Sequence, residues 1–281
     1  MSSRAILSTL AVISGLGFAS ELFAVDFPTP SPACTLKQHV GLTDIEVVYS
    51  RPGVKGRQIF GGLVSYGEVW RTGANSATKI TFSTPVKFNG ATVPAGTYAL
   101  FTIPGETEWT IILNKVAVQS GAFQYDEKQD LVRVQTKPIQ LKEQIETFTI
   151  EFNEIRDDSA VLNLVWDTTV VPVKIEMDLT GKLVPQIEAA MAAPGDNKPY
   201  FQAAMFYYEH GQDLQKARQW VDAAIAQREA HYIVHLKAKI LAKLGDKEGA
   251  IAAARRSIEL AIKAKDNGYV KLNQDLISRL Q

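Results

Sequence analysis

The chain has 281 residues, 46% of them apolar, and its 30 Lys+Arg balance 30 Asp+Glu. That apolar share excludes a disordered chain, and the zero net charge leaves no global field to gather nucleic acid or an anionic membrane. A single cysteine, Cys34, excludes an intrachain disulfide and a thiolate zinc cluster.

Arg4 precedes an apolar run over 5–19, and small residues follow around Gly17 and Ala24. This order of charge, apolar run and small side chains predicts a secretory signal peptide over 1–24. The run is short for a bilayer span, so the mature chain is expected to lack a transmembrane segment. An exported chain with one cysteine fits a periplasmic or secreted protein better than a disulfide-rich extracellular module. Residues 25–34, which include FPTPSPA, predict an extended Pro-rich linker.

From 35 onward the apolar period is two. Ile45, Val47 and Tyr49 mark a strand, and Ile80 with Phe82 mark another. Between them lies a glycine-rich segment, with six glycines from Gly53 to Gly73 among Arg51, Lys55, Arg57, Tyr66, Trp70, Arg71 and Asn75. Guanidinium forks suit carboxylate or phosphate, indole and phenol faces suit a sugar or ring, and an amide orients a polar ligand. Arg57, Trp70, Arg71 and Asn75 are therefore the candidate ligand-binding residues. The same residues allow a structural reading. Arg57 and Arg71 would then satisfy carbonyls and carboxylates in a crossover between sheets, with Trp70 in the core.

Asn89-Gly90, between 86–88 and 91–93, predicts a type I′ hairpin, and Pro94-Ala95-Gly96 predicts a second turn. Strands are expected over 98–103, 109–113, 131–136, 145–152, 161–167 and 170–177, with a polar loop over 121–130 and a turn at 156–159. About nine short strands without an intervening helix imply an antiparallel β-sandwich, jelly-roll-like, over 35–177.

At Asp178 the composition changes. Alanines rise and the apolar spacing becomes helical. The segment 200–211 aligns with 234–245 at an offset of 34, pairing Ala204 with Ala238 and Gly211 with Gly245, and 213–225 resembles 246–258 at an offset of 33. This period resembles the tetratricopeptide repeat, so an α-helical repeat domain is expected over 178–281. The class is α+β multidomain.

No nucleophile elbow, phosphate loop or paired-histidine zinc helix is present. His231 and His235 share a helix face but lack a third ligand, and read as structural. Glu68, Glu106 and Glu108 are scattered over turns and support no glycosidase pair. No metal and no cofactor are expected.

The run YSRPGVKGRQIFGGLVSYGEVWRTGANSATKITF, followed by PAGTYALFTIPGETEWTIILNK, resembles the uncharacterised secreted bacterial family known as domain of unknown function 2911. The resemblance covers roughly 35–177 and implies export, the β fold and these motif positions. It implies no activity. Ser76 stands where the family's pattern leads one to expect glutamate.

The expected function is an exported binding protein. Its β body holds a small molecule or glycan at the Arg57, Trp70, Arg71 and Asn75 corner, and its helical domain docks a protein or peptide. A non-enzymatic role is expected. The alternative is a hydrolase of an envelope glycan or ester whose site assembles only in three dimensions.

Overall fold

The computed structural model describes residues 27–195 and 197–281, so the expected signal peptide lies outside the described residues. Ten strands come first: β1 (Ala33–Val40), β2 (Thr43–Ser50), β3 (Thr78–Phe82), β4 (Val86–Phe88), β5 (Ala91–Val93), β6 (Gly96–Ile103), β7 (Trp109–Asn114), β8 (Asp130–Thr136), β9 (Ile139–Asn153) and β10 (Ser159–Glu176). They form a six-stranded sheet in the order β1-β2-β3-β6-β7-β8 and a four-stranded sheet in the order β5-β4-β10-β9. Every strand pair is antiparallel.

The two sheets share one core. Val47, Ile80, Leu100 and Ile111 of the larger sheet cluster with Phe88, Phe148, Leu162, Trp166 and Val173 of the smaller one. In β2 the period of two is literal, with Ile45, Val47 and Tyr49 buried. The β4–β5 hairpin turns at Asn89 (φ 47°) and Gly90 (φ 87°), both left-handed, as its turn type requires.

One sequence expectation needs correction. The segments 161–167 and 170–177 form one 18-residue strand, β10. A bulge at Asp167 (φ 53°) joins them. It shifts the phase by one: Ala160, Leu162, Leu164 and Trp166 are buried before it, and Val171, Val173 and Ile175 after it. The change of phase, with two register shifts against β9, keeps both halves facing the same core. The larger sheet is also covered on its outer face. Ala77, Ala99, Phe101 and Ile112 form a second cluster beneath Val69, Ala122 and Tyr125.

Six helices follow: α1 (Leu179–Ala192), α2 (Tyr200–Glu209), α3 (Leu214–Gln227), α4 (His231–Lys243), α5 (Lys247–Ala264) and α6 (Asn267–Leu280). Asp178, Asp213, Asp246 and Asp266 cap α1, α3, α5 and α6 by accepting from first-turn amides. Equivalent positions recur. Ala204 and Ala238 are both fully buried, and Gly211 (φ 64°) and Gly245 (φ 84°) turn the chain between helices. Ala217 and Ala250 are both fully buried one helix later. Among the described residues no helix is long and apolar enough to cross a membrane.

Candidate functional site

The glycine-rich segment connects β2 to β3 by crossing between the sheets. Val54 N–H donates to the Glu146 carbonyl (2.7 Å), and Phe148 N–H donates to the Pro52 carbonyl (2.9 Å), which pins the segment to β9. Trp70 and Thr102 then exchange backbone hydrogen bonds at 2.7 and 2.9 Å, which attaches it to β6. At Gly73 (φ 149°) a Cβ would stand 3.0 Å from the Ser50 carbonyl, so the close crossing itself calls for glycine there.

Three of the four candidate side chains have separate hydrogen-bond partners. Arg57 is exposed, and its guanidinium donates to the Gly53 (2.6 Å) and Val54 (3.1 Å) carbonyls of its own turn. Asn75, in the left-handed region at φ 60°, donates to the Ser31 carbonyl and Ser50 hydroxyl, both at 3.2 Å. It fastens the start of β1 to the end of β2. Trp70 donates from Nε1 to the Gly73 carbonyl (3.1 Å) and packs among Phe60, Trp109, Phe148 and Trp166.

Arg71 differs. Its Nε is buried and has no hydrogen-bond partner. A Cβ at Gly121 would come within 2.8 Å of its Nη1, so the 115–126 loop lies directly on the guanidinium. The same loop carries Gln119, whose buried Oε1 also lacks a partner while its Nε2 donates to Val116 and Asn114. Val118 and Phe123 of this loop are 80% and 90% exposed. An orphan donor and an orphan acceptor thus meet one loop with an apolar outer surface.

Arg51, which lies outside the candidate set, makes the structural bond expected of its neighbours. Its guanidinium donates to the Phe148 carbonyl (3.1 Å) and the Thr149 hydroxyl (2.7 Å), clamping the segment across the sheets. Glu68, Glu106 and Glu108 are exposed.

A second constellation lies on the helices, and the sequence reading passed over it. Tyr208 of α2, Lys239 and Lys243 of α4, and Leu272, Leu276 and Arg279 of α6 line a groove of about 480 Å³. Both lysine Nζ atoms stand 4.6 Å from the Tyr208 ring centroid. Among the described residues Lys239, Lys243 and Arg279 form no ion pair with a carboxylate. Like charges four apart on a helix repel by a few tenths of a kcal/mol, and here a third cation joins them. Burial pushes the Tyr208 phenol above its usual range; the Glu209 charge adds to this and Arg279 opposes it. The signal in the sequence was the 239/243 spacing, but only packing brings Tyr208 and Arg279 beside it.

The histidine pair divides its partners. His231 Nε2 lies 3.3 Å from Asp266, and its ring packs against Tyr269. His235 Nδ1 lies 2.8 Å from Asn273 Oδ1. Because Asn273 Nδ2 already donates to Ser257 and the Tyr269 carbonyl, its oxygen faces His235, and Nδ1 carries the proton. Burial is the main cause that lowers the His235 pKa, with Lys239 and Arg279 adding to it against the Asn273 bond.

These features define a β body with a helical extension and no assembled catalytic constellation among the candidate residues. The family model described as protein of unknown function (DUF2911) matches residues 31–175, so the chain belongs to that family. No curated protein and no solved structure matches.

Proposed function

We propose that this chain is an exported binding protein whose helical part receives an acidic segment of a partner protein. The observation that carries this is the groove of α2, α4 and α6. Lys239, Lys243 and Arg279 surround it with no ion pair to a carboxylate among the described residues, over an apolar floor of Leu272 and Leu276. An incoming carboxylate would relieve their mutual repulsion and accept charge-assisted bonds, while an apolar neighbour on the same segment covers the leucines.

The finer architecture belongs to the same proposal. A tetratricopeptide-like arrangement is supported by the recurring buried alanines, turn glycines and aspartate caps of α2–α3 and α4–α5. A jelly-roll-like sandwich is the reading of two antiparallel sheets around one core. Export to the periplasm or beyond is supported by the charge, apolar run and small residues at the start of the sequence.

The test is fluorescence polarisation with a labelled peptide of alternating glutamate and leucine, and a lysine-for-glutamate version as control. The acidic peptide should bind, and the affinity should fall with salt. The double substitution Lys239→Glu, Lys243→Glu should abolish binding. Equal affinity for both peptides would sink the reading.

A second reading concerns the β body. The orphan Nε of Arg71 and Oε1 of Gln119 favour a small polar ligand, such as a glycan hydroxyl or an anion, at the 115–126 loop. Arg71 is then the one member of the candidate quartet whose buried donor awaits a partner, beneath a loop that would have to admit the ligand. A crystal soaked in a disaccharide or phosphate would place density there; a bridging water alone would count against it. The hydrolase alternative gains no supporting geometry from these residues.

A further inference from the structure

At the junction of sheets and helices, three metal-ligating side chains converge. Asp157 and Asp158 stand in the turn from β9 to β10, and His210 closes α2. One ligand atom from each lies within 4.8 Å of the others. The turn is held from several sides. Arg156 N–H donates to the Ser159 carbonyl and Met177 N–H to the Asp158 carbonyl, both at 2.8 Å. The Ser159 hydroxyl donates to Asp158 Oδ1 at 2.9 Å. His210 is fixed independently: its ring stacks on Phe206 at 4.2 Å, and its side chain is only 10% exposed.

The informative atom is His210 Nε2. It lies 2.7 Å from Asp157 Oδ2, yet it is buried with no hydrogen-bond partner. By distance the two groups are an ion pair; by direction they are not hydrogen-bonded. Misalignment alone does not mark a ligand, since Lys237 and Asp222 also meet at 2.7 Å with the carboxylate oxygen unbonded; what sets His210 apart is a nine-tenths-buried imidazole converging with two carboxylates. His39 Nδ1 meets Asp44 Oδ1 at the same 2.7 Å with hydrogen-bond alignment. A buried imidazole nitrogen that converges with oxygens of two carboxylates suits ligands directed at a common point.

We propose that Asp157, Asp158 and His210 hold a divalent transition-metal ion, best matched by Zn²⁺, which ties the β9–β10 turn to the end of α2. Two carboxylates and one imidazole suit Zn²⁺, whereas Ca²⁺ and Mg²⁺ require a larger set of oxygen ligands. Three protein ligands leave a tetrahedral position for water or a ligand group. The Ser159 bond to Asp158 is the outer contact that orients a ligating carboxylate. Asp158 also lines a cavity of about 470 Å³ together with Lys87, Thr92 and Glu176. This site is independent of the acidic-partner groove.

The full chain, treated with chelator and dialysed, is titrated with Co²⁺, whose visible absorption reports its coordination, and then with Zn²⁺ in competition. One Co²⁺ should bind per chain and be displaced by Zn²⁺, and Zn²⁺ should raise the unfolding midpoint. His210→Gln and Asp158→Asn should each weaken binding by more than roughly tenfold, the range expected even for outer-shell changes. His39→Gln should bind as the parent does. Asp158→Asn decides the matter, because it leaves the His210–Asp157 contact in place; circular dichroism of the metal-free variants checks that each folds. An absence of stoichiometric binding, or undiminished binding by Asp158→Asn, overturns the proposal.

Discussion

Trp70 lies flat on Trp166, with ring centroids 5.7 Å apart and planes inclined by 16°. The indole that reads as a stacking surface for a ligand thus has its stacking partner inside the protein. Phe60, Trp109 and Phe148 meet it edge-on at 5.3 to 6.5 Å. Such pairs contribute about 0.5–1.5 kcal/mol each beyond area burial.

Trp70→Ala should therefore destabilise the β body by about 3 kcal/mol, the lower end for aromatic truncation because the ring is partly exposed. A urea titration followed by tryptophan fluorescence measures it. A midpoint equal to the parent's would show that the cluster does not depend on this ring.

Arg51 and Arg71 should behave differently. Arg51→Ala removes the guanidinium bonds to the Phe148 carbonyl and to the Thr149 hydroxyl, which keeps its own bond to the Thr147 carbonyl, at a cost of about 2 kcal/mol. Arg71→Ala removes a guanidinium whose Nε has no partner but on which the 115–126 loop rests, so it should cost less than Arg51→Ala, about 1 kcal/mol or below. Paired thermal melts of the two variants give the comparison, and a large loss for Arg71→Ala would reveal an essential packing role.

Gly41 turns the chain from β1 to β2 at φ 59°, where a Cβ would stand 2.1 Å from the Asp157 carbonyl oxygen. Gly41→Ala meets both left-handed strain, about 1–2 kcal/mol, and a backbone clash. The β9–β10 turn must move, so this variant should lose more than about 2 kcal/mol in denaturant unfolding. A neutral result would mean the turn yields easily.

His235 gives a pH dependence with a definite sign. Its folded pKa is lowered below 6.5, mainly by burial. Below about 6.5 the unfolded chain binds a proton that the folded chain resists. Stability is therefore full at neutral pH and falls as the pH drops below about 6.5, until the folded pKa is reached. The groups facing the ring are Asn273, Tyr269, Lys239 and Arg279. His235→Gln should flatten this acid-side slope, read from melts monitored by far-UV circular dichroism. An unchanged slope would assign it to other groups.

The strand order along the chain was largely legible, because period-two burial and positive-φ turn pairs such as Asn89-Gly90 are local. The break at Asp178 was legible for the same reason: its side chain caps α1 through the Gly181 amide, three residues on. The merging of 161–167 with 170–177 was not. The polar stretch around Asp167 looks like a turn until β9 is present to pair across it, with Gln144 donating to Asp167 at 2.7 Å. Nor was the candidate site. Arginine, tryptophan and asparagine in a glycine-rich run have the same composition whether they line a pocket or satisfy carbonyls. The junction set escaped because Asp157 and Asp158 read as turn residues and His210 as the end of a helix.

By itself, the sequence determined the succession of β and α segments, the hairpin turns and the helix caps, since each depends on residues within a few positions of one another. Only the tertiary structure decided what the charged side chains face. Arg57 turns back on its own loop, Arg71 lies under the 115–126 loop, and Lys239 and Lys243 share the Tyr208 ring. A charge acts through space at distances set by packing, and those distances are not written in the spacing of residues along the chain.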